Sequence, residues 1–201
     1  MTENDAQQEL AFIKKVIEDS RRIIATDGKD FTVWGIIVTI GMLLMYFNII
    51  LHLYYREILI WGFLISGGWL YSIYRGFTYY RKLKIKTFAG KILSSVWVSC
   101  GIVMTMIGFV LCPLGIIRGN AIMPLIAIIT GIGYFITSFI IPSRWIRYCA
   151  FGWWLGGILI AAFPGIYTLL VYAGMMICFQ VVPGIIIQRQ YQKQFAEVSH
   201  D

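Results

Sequence analysis

The sequence predicts an all-α integral membrane protein. It would be a six-transmembrane-helix bundle of three antiparallel hairpins, preceded by a cytoplasmic amphipathic helix, with both termini cytoplasmic. Three observations predict this. Hydrophobic residues make up 59% of the 201 residues and charged residues only 13%, about half the charge of an ordinary globular domain. Six segments are apolar over lengths that suit a membrane crossing. The cations are segregated to alternate connections between those segments. The acids agree, because seven of the ten lie in the first thirty residues and Glu57 is the only one between Phe31 and Ala196. Such a chain is neither disordered nor built for water.

Residues 1–30 read as a separate unit. Asp5 stands where an N-cap would, with Gln8 in capping-box register. Leu10, Phe12, Ile13, Val16, Ile17, Ile23 and Ile24 then fall on one face of a helix, with Lys14, Lys15, Glu18, Arg21 and Arg22 opposite. Gly28 is expected to end this helix just before the membrane. A helix lying on a membrane surface has a mainly basic polar face, whereas this one mixes signs. Packing against the bundle, a second copy or a cytoplasmic partner is therefore favoured over lying on lipid. The start is acidic and polar where a cleavable signal peptide needs a basic region and a short apolar core, so none is expected.

The transmembrane domain, residues 31–187, follows. A crossing helix needs about 20 mainly apolar residues, and the expected spans are Phe31–Leu51, Glu57–Tyr74, Ile92–Leu114, Ala121–Ile141, Tyr148–Phe163 and Ile166–Ile187. They are continuously apolar, which excludes the alternating polarity of a membrane barrel. Helices alone then satisfy the backbone in lipid. Pro113, Pro124, Pro142, Pro164 and Pro183 lie near span ends, and Pro164-Gly165 makes a tight turn between the last two spans. Residues 188–201 form a short cytoplasmic tail.

Orientation comes from the basic residues. With the N-terminus in the cytoplasm, fifteen of the seventeen Lys and Arg residues lie inside and only Arg56 and Arg118 outside. This is a strong positive-inside signal, and it places the protein in a plasma membrane, the inner membrane if the cell is bacterial. The net charge of +7 sits in short loops that topology already explains, so nucleic acid is not an expected partner. The loop Arg75–Lys91 is the most basic connection. Its Arg81, Lys82, Lys84 and Lys86 are candidates for contact with anionic lipid at the cytoplasmic face, worth about 1 kcal/mol per charge.

The interior is read from what remains. Cys100, Cys112, Cys149 and Cys178 show no metal-ligand or redox spacing and read as small packing residues. No Asp, Glu, Lys, Arg or His lies deep in a span, which disfavours a carrier built on a titrating group. With His52 and His200 the only histidines, hydrolytic and haem chemistries lack their parts. No residue is assigned a catalytic or metal-binding role, and no cofactor is expected.

Two glycine pairs, Gly67–Gly68 and Gly156–Gly157, fall near the middle of the second and fifth spans. Glycine-interrupted helices in corresponding positions of two halves point to a transport site. Together with Trp69, Asn48 and Gln180 they form the candidate ligand path, against the alternative of helix packing and interhelical hydrogen bonding alone. Small residues four apart recur in every span, as in Gly35/Thr39, Gly62/Ser66, Ser95/Ser99, Gly133/Thr137, Gly152/Gly156 and Gly174/Cys178, and favour close packing or self-association. Of the tryptophans, Trp34, Trp61, Trp145 and Trp153 fall near expected interfaces, and Trp69, Trp97 and Trp154 deeper.

The leading expectation is non-enzymatic binding or passage of a small neutral, apolar or cationic solute within the bundle, as a homo-oligomer. The alternative is a membrane-anchored regulatory or interaction subunit that meets a membrane or cytoplasmic protein through its N-terminal helix and basic loop.

Overall fold

The structure, a computed structural model, describes residues 28–78, 88–141 and 144–189. The amphipathic segment before Gly28, the basic residues Arg81, Lys82, Lys84 and Lys86, and the tail from residue 190 lie outside the described residues.

Helix is the regular structure throughout the described residues, as a chain in lipid requires. The elements are α1 (Gly28–Ile50), α2 (Glu57–Thr78), α3 (Phe88–Met106, extended by the π-helical turn Ile107–Leu111), α4 (Gly119–Ile140), α5 (Arg144–Ala162) and α6. Helix α6 begins as Thr168–Met176 and runs through a second π turn, Ile177–Val181, to Arg189. All of them except α2 are long and apolar enough to cross a membrane. Helix α2 is 22 residues long, about 33 Å at the helical rise. Glu57, Arg75 and a run of Gly, Ser, Trp and Tyr make it less apolar than the others.

The helices begin and end within a few residues of the expected spans, and α5 shows the most consequential difference. It starts at Arg144 rather than Tyr148, because Arg144, Trp145 and Arg147 continue the helix past the apolar run. That moves Trp153 from an expected interface to the midpoint of α5, where it is fully buried.

Both π turns end two residues before a proline, Leu111 before Pro113 and Val181 before Pro183. A proline has no N–H to give and its ring crowds the carbonyl four residues back. Widening the preceding turn relieves both, as π-bulges do elsewhere. Pro124 sits in the second turn of α4, where little of the ladder is disturbed.

Each helix packs antiparallel against its neighbours in sequence, and α6 closes onto α1. Trp34 of α1 lies on Gly68 of α2, while Gly41 meets Trp61. Trp69 of α2 lies on Gly101 of α3, and Trp97 of α3 on Gly133 of α4. Helices α4 and α5 pack along much of their length, although they belong to different hairpins of the expected scheme. Gly152 and Gly156 of α5 face Phe179 and Met175 of α6. The α6–α1 closure is tightest at the basic end, where a methyl group on Gly184 would lie 2.7 Å from the Gly28 carbonyl oxygen. Only glycine lets two backbones approach so closely.

The core runs through the α4–α5–α6 side, with Ala127, Tyr134, Ile146, Cys149, Ala150, Trp153 and Tyr172 at its centre and Phe31 and Leu93 joining from α1 and α3. The outward surface is apolar instead. Phe63, Leu70, Leu155 and Ile158 are all more than half exposed. An apolar exterior of this extent is what a hydrocarbon solvent calls for, and the chain is a membrane protein.

Candidate functional site in the helix bundle

The tryptophans give the bundle its internal order. Three of them repeat one arrangement on successive helices. The Trp34 ring covers Gly68, and its indole N–H donates to the hydroxyl of Ser72, one turn on, at 2.9 Å. The Trp69 ring covers Gly101 and its N–H donates to Thr105 Oγ1 at 3.2 Å. The Trp97 ring covers Gly133 and its N–H donates to Thr137 Oγ1 at 3.1 Å. The receiving element is Gly-x-x-x-Ser/Thr each time. Glycine leaves room for the flat ring, and the residue four positions on stands directly above it on the same face.

The threonines complete the circuit. Thr105 Oγ1 donates to the Gly101 carbonyl and Thr137 Oγ1 to the Gly133 carbonyl, each at 2.7 Å. A hydroxyl has one donor and two acceptor positions, so it takes the indole proton while spending its own on the helix. The result is a buried polar contact with both partners satisfied. Trp154 reaches back from α5 in a related way, covering Gly131 and donating to the Ile128 carbonyl at 3.2 Å.

The seam of α4, α5 and α6 differs. Tyr134 Oη, Trp153 Nε1 and Tyr172 Oη are buried and have no hydrogen-bond partner among the described protein groups. Trp153 stands between two aromatic rings of α6, 5.6 Å from Tyr172 and 6.3 Å from Phe179, centroid to centroid. Tyr134 packs with Phe31 and Trp97 at 5.4 and 5.3 Å. The pairings Gly131–Trp154 and Ser138–Arg147 place it between the levels of Cys149 and Trp153 on α5. An unmet buried polar group costs about 1–3 kcal/mol. Three in one core are a departure from the rule that buried polar groups find partners.

The sequence-derived candidates are not brought into one place. Asn48 lies at the end of α1, where its Nδ2 donates to the Tyr55 carbonyl and its Oδ1 accepts from the Tyr55 N–H, both at 3.0 Å. It clamps a loop in which His52 and Tyr54 hold positive φ angles of 49° and 57°, a conformation that L-residues adopt only when held there. Gly67 faces outward, with nothing within 4 Å of where a methyl group would stand, whereas Gly68 lies under Trp34. Trp69 is the peg for Gly101. Gly156 faces Met175 of α6, and Gly157 faces Ala127 of α4 with 3.1 Å between the two Cβ positions. Gln180 is buried in the π turn of α6, against Gly35 of α1.

Sequence reading misses two features. The first is the Trp153–Tyr172 contact, whose signal is hidden when the fifth span is taken to start at Tyr148. The second is an ion pair at the basic end. Arg75 of α2 meets Asp30 of α1 at 2.6 Å and also donates to Tyr71 Oη at 3.2 Å. Asp30 is the last acid before the first apolar run and Arg75 the first cation after the second. Adjacent antiparallel helices bring those two positions to the same end, so the pair is legible in principle. In the first turn of α5, Arg147 stacks over Phe139 at 5.1 Å. No group of three His, Cys, Asp or Glu among the described residues is arranged to hold a metal.

Compared with known proteins, the chain matches no family model, no curated protein and no solved structure.

Proposed function

We propose that this chain is a six-span bundle of the plasma membrane, with both termini cytoplasmic, that binds or passes a small uncharged solute in its interior without catalysing a reaction. The six-span part is supported by α2. It is as long as the spans beside it and runs antiparallel between α1 and α3, returning the chain to the end where α1 began. The orientation rests on the fifteen-to-two division of cations.

The observation that carries the solute reading is the uncharged polarity of the α4–α5–α6 seam, with Tyr134, Trp153 and Tyr172 holding unused hydrogen-bonding capacity. The other buried polar residues among the described ones are likewise uncharged, being Thr and Ser hydroxyls, Asn48 and Gln180. Such an interior suits a neutral guest. The test is solute flux into proteoliposomes, with glycerol and urea as neutral probes and tetramethylammonium as the cationic one. Faster entry of a neutral probe than in protein-free vesicles is the expected result. Entry at the protein-free rate for all three would overturn passage.

A second reading is favoured by the Asp30–Arg75 pair, which ties the root of the N-terminal segment to the root of the basic loop. In that reading the protein is a regulatory or interaction subunit acting on its cytoplasmic side. Deleting residues 1–26 would then abolish recovery of its protein partner while the bundle stays folded.

A further inference from the structure

We infer that Trp153 and Tyr172 form a binding site for one neutral hydrogen-bond acceptor at the α5–α6 seam, the oxygen of a water molecule or of a small ether, carbonyl or alcohol. The inference rests on the reading of the bundle as a solute-binding interior, and it narrows that reading from any small uncharged solute to one class.

Three observations carry it. First, Trp153 Nε1 and Tyr172 Oη are buried and unpartnered on rings 5.6 Å apart, one on each helix. Second, the chain has another way to use an indole N–H and does not use it here. Trp34, Trp69 and Trp97 each find a hydroxyl one turn beyond the glycine they cover. At the α5–α6 seam no hydroxyl takes that place, and the neighbours supplied by α6 are aromatic and thioether groups, Phe179 beside Trp153 and Met175 beside Gly156. Third, Trp153 and Tyr172 both belong to the continuous buried core rather than to the lipid-facing surface.

The donor inventory then selects the guest. An indole N–H only donates, and a phenol hydroxyl donates or accepts. A guest that satisfies Trp153 must therefore present a lone pair. A purely apolar guest leaves both groups unmet. An ammonium ion offers donors alone and cannot satisfy the indole. An anion has the lone pairs, but burying a charge without a countercharge is prohibitive, and the buried polar side chains among the described residues are all uncharged. A neutral oxygen acceptor remains, and the phenol can add a second hydrogen bond to it.

The experiment is NMR of the full-length protein in nanodiscs with ¹⁵N-labelled indoles, the Trp153 signal being assigned from Trp153→Phe. Tetrahydrofuran and cyclopentane are the probes, two five-membered rings that differ by one ether oxygen. Tetrahydrofuran is expected to shift the Trp153 indole proton in a saturable way, and cyclopentane to leave it in place. Tyr172→Phe keeps the reporter and the ring while removing the hydroxyl. It should weaken the tetrahydrofuran response about fivefold, as one lost hydrogen bond implies.

A magnetisation-transfer peak between water and the Trp153 indole, displaced by tetrahydrofuran, identifies water as the resident acceptor. A response without that peak identifies the organic oxygen. An indole proton that shows neither peak nor response, together with a higher Tm for Tyr172→Phe, overturns the site. Failure here with intact glycerol or urea flux leaves passage standing and moves its path elsewhere. A tetrahydrofuran response without flux leaves the site standing and removes passage.

Discussion

The two sides of this bundle use the same aromatic residue in opposite ways. From α1 to α4, Trp34, Trp69 and Trp97 each cover a glycine on the next helix and donate the indole N–H to a hydroxyl one turn further along. Between α5 and α6, Trp153 is more deeply buried than any of those pegs, yet no hydroxyl receives its N–H. The first side is a sequence of closed polar contacts between otherwise apolar helices. Lipid removes most of the hydrophobic drive for association, so packing and interhelical hydrogen bonds must hold such helices together. The second side achieves its closeness through glycine against Met175 and Phe179 and leaves hydrogen-bonding capacity unspent. Hydrogen-bonding capacity is spent between helices on one side and left over on the other.

The most damaging way to break the first side is to remove a peg. Trp97 is held between Phe31, 4.8 Å away and edge-on, and Tyr134, with its proton on Thr137. Trp97→Ala removes those contacts and leaves a cavity that neighbouring helices close only in part. A loss of about 3 kcal/mol is expected, read as a lower midpoint in denaturant unfolding from detergent micelles. A loss below about 1 kcal/mol would mean that the peg is incidental to stability.

Next in size is the hole that receives a peg. A methyl group on Gly68 would stand 2.7 Å from the Trp34 ring. Gly68→Ala therefore forces the ring or the α1–α2 spacing to shift, and overpacking of this kind costs about 1–3 kcal/mol. The same change should weaken the Trp34–Ser72 hydrogen bond, visible as a change in the Trp34 indole resonance. An unchanged resonance with unchanged stability would show that Trp34 does not sit on Gly68.

These pairs explain which parts of the fold are legible in the sequence. Helix existence is legible because the bilayer imposes length and apolarity directly. The partners of each face are not. On a helix in lipid the outward face is as apolar as the inward one, so the periodicity that betrays a buried face in water is largely erased. Gly133/Thr137 reads as a surface for close helix approach, and it holds a tryptophan ring. Gly35/Thr39 does meet α6 closely, while Gly174/Cys178 and Ser95/Ser99 face outward. Spacing alone gives the same pattern for all four. Within the candidate site, Gln180 and the α5 glycines are legible as interior positions, but Trp153 and Tyr172 carry no sequence mark that separates them from an interfacial belt.

A smaller effect isolates the hydrogen bond from the ring. Thr137→Val keeps the shape at a fully buried position and deletes the oxygen that receives the Trp97 proton. Interhelical hydrogen bonds in membranes are worth about 1 kcal/mol or less, so a loss of that order is expected. The comparison with Tyr172→Phe sharpens the contrast between the two sides. Thr137→Val strands a donor that had a protein partner, whereas Tyr172→Phe removes a hydroxyl that has none among the described protein groups. An occupied site adds the loss of a hydrogen bond to the small packing loss of the second change.

The smallest expected effect has the opposite sign and tests which face of α2 points inward. Gly67 and Gly68 are adjacent, about 100° apart around the helix. Gly68 is buried under Trp34 while Gly67 is exposed, with open space around it. Alanine at position 67 meets no neighbour and lowers the backbone entropy of the unfolded chain, for which helix propensity allows a gain of at most about 1 kcal/mol. Gly67→Ala is thus expected to raise the unfolding midpoint slightly and to leave glycerol and urea flux unchanged. If it slows flux instead, Gly67 lines the solute path and the inward face of α2 includes both glycines. If it destabilises as much as Gly68→Ala, another helix or a second copy covers that face. The two alanines differ only by one step along the helix, so a difference between them reports contact geometry rather than residue chemistry.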